Sequence, residues 1–171
     1  MLKFLSVATV AFFAVSSAVN AAPAQVLGEY GDWTAYYYQD GTSPVCYMVS
    51  APKKDEGKYI KRGDIYAFVT HRPADDSFNV VNFVAGYNYK QNSKVTIKIG
   101  DKTFNDFFVD GDKAWAMNVQ TDKEVVEAMK KYGKMIVHGT SHKGTETKDT
   151  YSLNGFSKAY RTISAKCKKQ K

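Results

Sequence analysis

Apolar residues fall into short segments that recur about every 10 to 15 residues, with Gly, Asn and Asp between them. The segment 95–99 alternates apolar and polar residues, the period-two pattern of a strand with one face in solvent. The segment 78–85 is apolar at both parities, which indicates a central strand covered on both faces. This spacing predicts a β-sandwich or a barrel. Strands are predicted at residues 33–38, 45–50, 65–70, 78–85, 95–99, 103–109, 114–117, 135–138 and 147–153.

Two dipeptides mark tight turns between these strands. Gly100-Asp101 follows the segment 95–99, and Asp110-Gly111 precedes the segment that contains Trp115. Glycine accepts the positive φ that two-residue hairpin turns require. We therefore expect a β-hairpin at each dipeptide.

The segment 121–132 breaks the β pattern and is predicted to be a helix. Thr121 and Glu124 have the spacing of a capping box, and Gly133 is a candidate C-terminal cap. A helical arrangement places four residues on one side, which would cover an edge or end of the sandwich: Val125, Val126, Met129 and Tyr132.

A second helix is predicted at residues 156–167. Its apolar residues lie within an arc of roughly 100°, opposite the basic residues. The apolar set is Phe156, Ala159, Tyr160, Ile163 and Cys167, and the basic set is Lys158, Arg161 and Lys166. Cys167 is therefore expected to point toward the core.

The only two cysteines, Cys46 and Cys167, each have an independent reason to be near the core. Cys46 lies in the apolar run 45–48, and Cys167 on the inner side of the second helix. We predict that they form a disulfide, as two cysteines of an exported protein usually do. Closing this loop would lower the conformational entropy of the unfolded chain and so stabilise the fold by about 4 to 5 kcal/mol. Two buried free thiols are the alternative, and a redox-active pair is disfavoured because no C-x-x-C motif is present.

The N-terminus has the features of a signal peptide. Lys3 precedes an apolar run, and Val19 and Ala21 are compact residues at the −3 and −1 positions of a cleavage site. A membrane anchor is the alternative, but the run of about 16 residues is shorter than the roughly 20 needed to cross a bilayer. We expect residues 1–21 to be removed. The mature chain, residues 22–171, is then expected to be a single domain without a transmembrane segment, located in the periplasm or the medium.

Charge is distributed unevenly along the predicted mature chain. Residues 22–149 contain 17 basic and 17 acidic residues, whereas residues 150–171 contain six basic residues and no acid. The excess is either a solubilising end or a contact surface for an acidic partner or anionic lipid. The candidate binding residues are Lys158, Arg161, Lys166, Lys168 and Lys169, with Lys171 beyond them.

Catalytic and cofactor-binding motifs are scarce. His138 and His142 are spaced as a metal pair only on a helix, and the residues around them favour a strand end and a loop. Ser141, His142 and Asp149 could be drawn as a nucleophilic triad, but no G-x-S-x-G motif fixes their geometry. We expect no enzymatic activity, no metal and no cofactor.

Five tyrosines could in principle stack on nucleic-acid bases. They lie within or beside predicted strands, so core and cross-strand pairing is favoured, and no nucleic-acid partner is expected. They are Tyr36, Tyr37, Tyr38, Tyr87 and Tyr89.

Several motifs carry a family resemblance. The most specific are the runs 139–145 and 149–156, and shorter matches are Gly31-Asp32-Trp33, Cys46-Tyr47, Thr70-His71-Arg72-Pro73 and the run 80–87. Over nearly all of its mature length, the chain resembles the invasion-associated locus B family. The resemblance implies an exported protein of Gram-negative, mainly alphaproteobacterial, cells with an immunoglobulin-like β-sandwich and no assigned enzymatic activity. Some family members are linked to entry into host red blood cells.

These observations predict an exported, monomeric β-sandwich of about 8–9 strands with two short helices, at about 121–132 and 156–167. We expect it to act by binding an unknown protein or an anionic envelope component, with host-cell interaction as one such role. The first alternative is an envelope hydrolase that uses the 141–149 loop. The second is a purely structural envelope component.

Overall fold

The computed structural model describes residues 23–168. The predicted signal peptide (residues 1–21), Lys169 and Lys171 lie outside the described residues. The described chain forms twelve strands: β1 (Gln25–Tyr30), β2 (Trp33–Asp40), β3 (Ser43–Ser50), β4 (Lys54–Gly57), β5 (Tyr66–Arg72), β6 (Ser77–Val84), β7 (Thr96–Ile99), β8 (Lys102–Phe104), β9 (Phe107–Asp110), β10 (Lys113–Ala116), β11 (Lys134–Thr140) and β12 (Glu146–Ser152). The helices are α1 (Val119–Lys131) and α2 (Phe156–Lys166), and a 3-10 turn lies at Pro73–Asp75.

The strands form two antiparallel sheets. The larger has seven strands in the order β1-β2-β3-β5-β6-β10-β9, and the smaller has five in the order β4-β12-β11-β7-β8. Phe83 of the larger sheet and Tyr151 of the smaller sheet have ring centroids 6.5 Å apart. The indole nitrogen of Trp33 also donates a hydrogen bond to the Ser152 carbonyl at 3.0 Å. The predicted mainly β sandwich is therefore confirmed.

Side-chain alternation explains why these strands share a core. In β5, Ala67 and Val69 are fully buried, whereas their neighbours Tyr66 and Phe68 are only half-buried on the opposite face. Tyr36 of β2 stacks on its cross-strand partner Tyr47 of β3 at 5.0 Å. Cross-strand pairing is thus the role of Tyr36, as its strand position predicts.

Both helices cover parts of the larger sheet. Helix α1 packs mainly against β6, and α2 packs against β1, β2 and β3. Phe156, Ala159 and Ile163 of α2 are completely buried, and the Phe156 ring meets Trp33 edge-to-face at 5.0 Å. The predicted inner face of this helix is confirmed. Neither helix of residues 23–168 combines the length and apolar character of a membrane span.

A disulfide joins Cys46 of β3 to Cys167, the residue that follows α2. Both cysteines are buried, and their Cα atoms are 5.9 Å apart, within the usual range for a disulfide. The predicted pairing is confirmed. The bond fastens the end of the last helix to β3, an interior strand of the larger sheet.

His71 of β5 reinforces the same attachment. Its Nδ1 accepts the backbone N–H of Asn79 at 3.1 Å, so its Nε2 carries the hydrogen that faces Ser164 Oγ of α2, also at 3.1 Å. Burial lowers the pKa of His71, which favours the neutral ring that this arrangement needs.

The strand count departs from the prediction at three places. The segment 103–109 is two strands rather than one, because the chain turns at Asn105 and Asp106 and places β8 and β9 in different sheets. Strands β1 and β4 were not predicted, and both lie at sheet edges. The described chain therefore has twelve strands instead of eight or nine.

The predicted capping of the first helix is wrong. Asn118 is the N-cap, since its extended backbone lets the side-chain oxygen accept the N–H of Thr121 at 2.9 Å. Thr121 lies within the helix, and Glu124 accepts a hydrogen bond from Gln120 instead of closing a capping box. At the other end the helix is capped by Tyr132, in extended conformation, rather than by Gly133.

Removing the disulfide should destabilise the fold. Because the bond closes a loop with a sequence separation of 121 residues, we expect the Cys46→Ala/Cys167→Ala variant to lose about 2 to 5 kcal/mol of unfolding free energy. Urea denaturation with and without reductant measures this. The unfolding free energy of wild type should fall toward that of the variant when reductant is added. Equal unfolding free energies of wild type and variant without reductant would contradict the prediction.

Asp122 of α1 should make stability pH-dependent. It is almost fully buried, and burial raises its pKa from 3.8 to about 6 although its Oδ1 accepts the Val81 N–H at 2.8 Å. The raised pKa means that the folded state binds the proton more tightly than the unfolded state, so unfolding free energy falls as pH rises from about 4 to 6. Asp122→Asn keeps an acceptor oxygen and cannot ionise. We expect it to match wild type near pH 3.5 and to exceed it by on the order of 2 kcal/mol at pH 7. Parallel stability profiles would contradict this assignment.

Candidate functional site

The basic residues of the C-terminal segment project into solvent. Three of them, Lys158, Arg161 and Lys166, are exposed because the opposite side of α2 is buried against the larger sheet. Lys168, two residues beyond the helix, is exposed as well. We call these four residues the basic helix surface. Lys169, predicted to extend it, lies outside the described residues.

The basic helix surface is less uniform than the charge count along the chain indicates. Lys158 and Arg161 border a shallow depression that also contains Glu29 of β1. The Lys166 ammonium lies 4.4 Å from the centre of the Tyr37 ring, a cation–π contact. The fold thus places the carboxylate of Glu29 beside a C-terminal segment that contains no acidic residue. The net charge of the surface nevertheless remains positive.

The residues of the alternative hydrolase site do not form a hydrogen-bonded triad. Ser141 Oγ accepts the Thr145 backbone N–H at 3.1 Å, so it stabilises a turn. His142 is exposed, and its Nδ1 lies 3.3 Å from the Asn88 carbonyl oxygen. Asp149 is occupied by a different partner, Arg62. Each side chain therefore belongs to a separate network.

Arg62 and Asp149 form a buried ion pair. Two guanidinium nitrogens of Arg62 donate to the two carboxylate oxygens of Asp149, each at 2.6 Å. The side chains are only 3% and 5% exposed, so both charges are almost fully removed from water. Arg62 Nε also donates to the Ala85 carbonyl at 2.6 Å. This satisfies the guanidinium on two sides.

Electrostatics and ring contacts hold this pair in its charged form. Burial alone would lower the pKa of Arg62, but the hydrogen bonds to Asp149 and its negative charge raise it above the ordinary value. The guanidinium carbon lies 4.9 Å from the centre of the Tyr87 ring and 5.5 Å from that of Tyr59. Burial raises the pKa of Asp149, but the hydrogen bonds from Arg62 and its positive charge oppose that rise. Because an arginine in a protein stays protonated, the carboxylate serves as its counter-charge.

Of the two residues in this ion pair, only Asp149 could have been recognised from the sequence as needing a buried partner. Asp149 lies two residues from both Thr147 and Tyr151 in a predicted strand, so the three side chains share the inward face, where a carboxylate needs a partner. Arg62 had no comparable signal, because it lies in an irregular segment 87 residues away from Asp149.

A concave site lies beside the ion pair. Its lining comes from residues 58–62, from Tyr87, and from the β11–β12 hairpin between Ser141 and Thr147, and its volume is about 330 Å³. We call it the loop pocket. This volume is at the lower end of the range of small-molecule sites. Within residues 23–168, no group of three or more His, Cys, Asp and Glu side chains is placed to hold a metal ion.

Comparison with known proteins adds a family assignment to this geometry. Residues 33–164 match the family model described as invasion associated locus B (IalB) protein. No curated protein and no solved structure gave a match. The matched region extends from β2 into α2 and includes Cys46, Arg62 and Asp149. Because the match covers most of the chain, the protein belongs to the invasion-associated locus B family.

Proposed function

We propose that this protein is exported to the periplasm or the medium of a Gram-negative cell and acts there by binding, without catalysis. The partner is an anionic surface, presented by the bacterial envelope, by another protein or by a host cell. The observation that carries the proposal is the basic helix surface, whose side chains are exposed on a helix fixed by the core. A protein of this kind needs no cofactor and can act as a monomer.

The expected contact is weak and sensitive to salt. Cations near a helix C-terminus are favoured by the helix dipole, which accounts for the placement of Lys166. Lys158 lies in the first turn of α2 and Arg161 in the second, where the dipole gives no such preference. Exposed charges each contribute little, so several must act together, and dissolved ions screen them.

The alternative hydrolase has less support. Catalysis by Ser141, His142 and Asp149 needs the three side chains within hydrogen-bond reach of one another. In the structure their partners are Thr145, Asn88 and Arg62.

Export should be accompanied by removal of the predicted signal peptide. We expect the mature chain to begin at Ala22, because Val19 and Ala21 satisfy the small-residue rule of the cleavage site. N-terminal sequencing of protein recovered from the periplasm or the medium tests this. A cytosolic protein that retains residues 1–21 would overturn the export proposal.

The contact itself is tested with the triple variant Lys158→Gln/Arg161→Gln/Lys166→Gln. A basic residue near an anionic bilayer contributes about 1 kcal/mol, so we expect binding to vesicles containing phosphatidylglycerol to weaken about tenfold or more. Cosedimentation measures binding, and wild-type binding should fall steeply between about 50 and 300 mM salt. Thermal unfolding should be nearly unchanged, since all three side chains are exposed.

The matched control is Lys98→Gln/Lys102→Gln/Lys123→Gln. It removes the same charge from exposed positions on β7, β8 and α1. We expect it to bind vesicles almost as well as wild type. If both variants lose binding equally, overall charge rather than the basic helix surface is responsible. If neither loses binding, the C-terminal charges only increase solubility.

A further inference from the structure

The segment between β4 and β5 is anchored in its middle by the buried side chain of Arg62. Residues 58–65 have no regular structure, yet Arg62 in their middle reaches the buried Asp149. The backbone N–H of Gly63 donates to the Gly86 carbonyl at 2.8 Å. A Cβ at Gly86 would lie 2.4 Å from the Gly63 carbonyl oxygen, so the close approach requires glycine there. The segment is thus irregular but firmly anchored.

Anchoring at Arg62 turns the flanking side chains outward beside the loop pocket. Ile60 lines the pocket and is fully exposed, so burying it against a ligand would remove its apolar surface from water. Tyr59 and Tyr87 supply aromatic walls, and the Tyr87 hydroxyl is fixed by Thr147 Oγ1 at 2.6 Å. The pocket therefore offers a preformed apolar surface.

The rim of the loop pocket is positively charged. Lys58, Lys61 and Lys143 are exposed lining residues, and none of them forms an ion pair within the part of the chain that the structure describes. The nearby Lys54 and Lys148, by contrast, both pair with Glu56. No Asp or Glu is among the described lining residues. Because Arg62 is neutralised by Asp149, the positive charge available to a ligand comes from these lysines.

We propose that the loop pocket binds a small organic anion, one that carries a carboxylate, sulfonate or phosphate on an apolar ring or short chain. The apolar body lies against Tyr59, Ile60 and Tyr87, and the anionic group meets the lysines of the rim. The buried ion pair holds the segment 58–65 in position and does not itself contact the anionic group of the ligand. This site is separate from the basic helix surface and does not depend on the proposed envelope contact.

A matched pair of fluorescent probes tests the proposal on the mature protein. 1-Anilinonaphthalene-8-sulfonate is an aromatic anion, and N-phenyl-1-naphthylamine has the same ring system without the charge. We expect Lys58→Gln/Lys61→Gln/Lys143→Gln to weaken binding of the sulfonate about tenfold and to leave binding of the neutral amine unchanged. Ile60→Ser should weaken binding of both probes, because it removes apolar contact without changing charge.

The control is the triple variant of the basic helix surface, which loses the same charge at another place. It should bind the sulfonate as wild type does, and the sulfonate should shift amide NMR signals of residues 58–62 and 141–147. The proposal is wrong if the two triple variants lose sulfonate binding equally or if the loop-pocket variant binds the sulfonate as wild type does. It is also wrong if the sulfonate shifts amide signals only of other residues. Vesicle binding should be lost only in the helix variant. The two proposals can therefore fail independently.

Discussion

The central constraint on this fold is that the two sheets are unequal. A sheet of seven strands presents an inner face that a sheet of five cannot cover, and exposed apolar side chains there would destabilise the protein. Helices α1 and α2 cover the remaining area, with Phe156 packed against Trp33 and the disulfide holding the end of α2 in place. The outward direction of the basic residues on α2 is a consequence of this packing.

Much of the architecture could be predicted because its cause is local. Segments with period-two alternation became strands, and the turns at Gly100 and Gly111 adopt the positive φ that their hairpins need. The errors occurred where the cause is not local. Strand β4 has the sequence Lys-Asp-Glu-Gly, without an apolar pattern, and forms because β12 has an unpaired edge. The sequence of the segment 103–109 does not show that Phe104 belongs to a strand of the smaller sheet and Phe107 to a strand of the larger one.

The same distinction applies to the candidate sites. The basic helix surface could be located from a helical wheel, and the disulfide from two cysteines that each had an apolar environment. The loop pocket could not, since it is assembled from three separate parts of the chain. Its organising residue, Arg62, is an arginine in a polar segment, where a solvent-exposed side chain is the ordinary expectation. A buried ion pair contributes little net stability compared with apolar packing, so its value here is that it fixes the position of one loop.

The position of the disulfide also determines the order in which the structure can be completed. Cys46 and Cys167 are 121 residues apart, and strands β4 to β12 all lie between them in the sequence. A chain is made with its N-terminus first, so Cys46 exists before its partner does. The larger sheet can assemble around an unpaired thiol, but covalent closure must wait for Cys167, which follows the last strand and α2. The cross-link therefore locks a structure whose strands have all been made, and it cannot guide the first pairing of those strands.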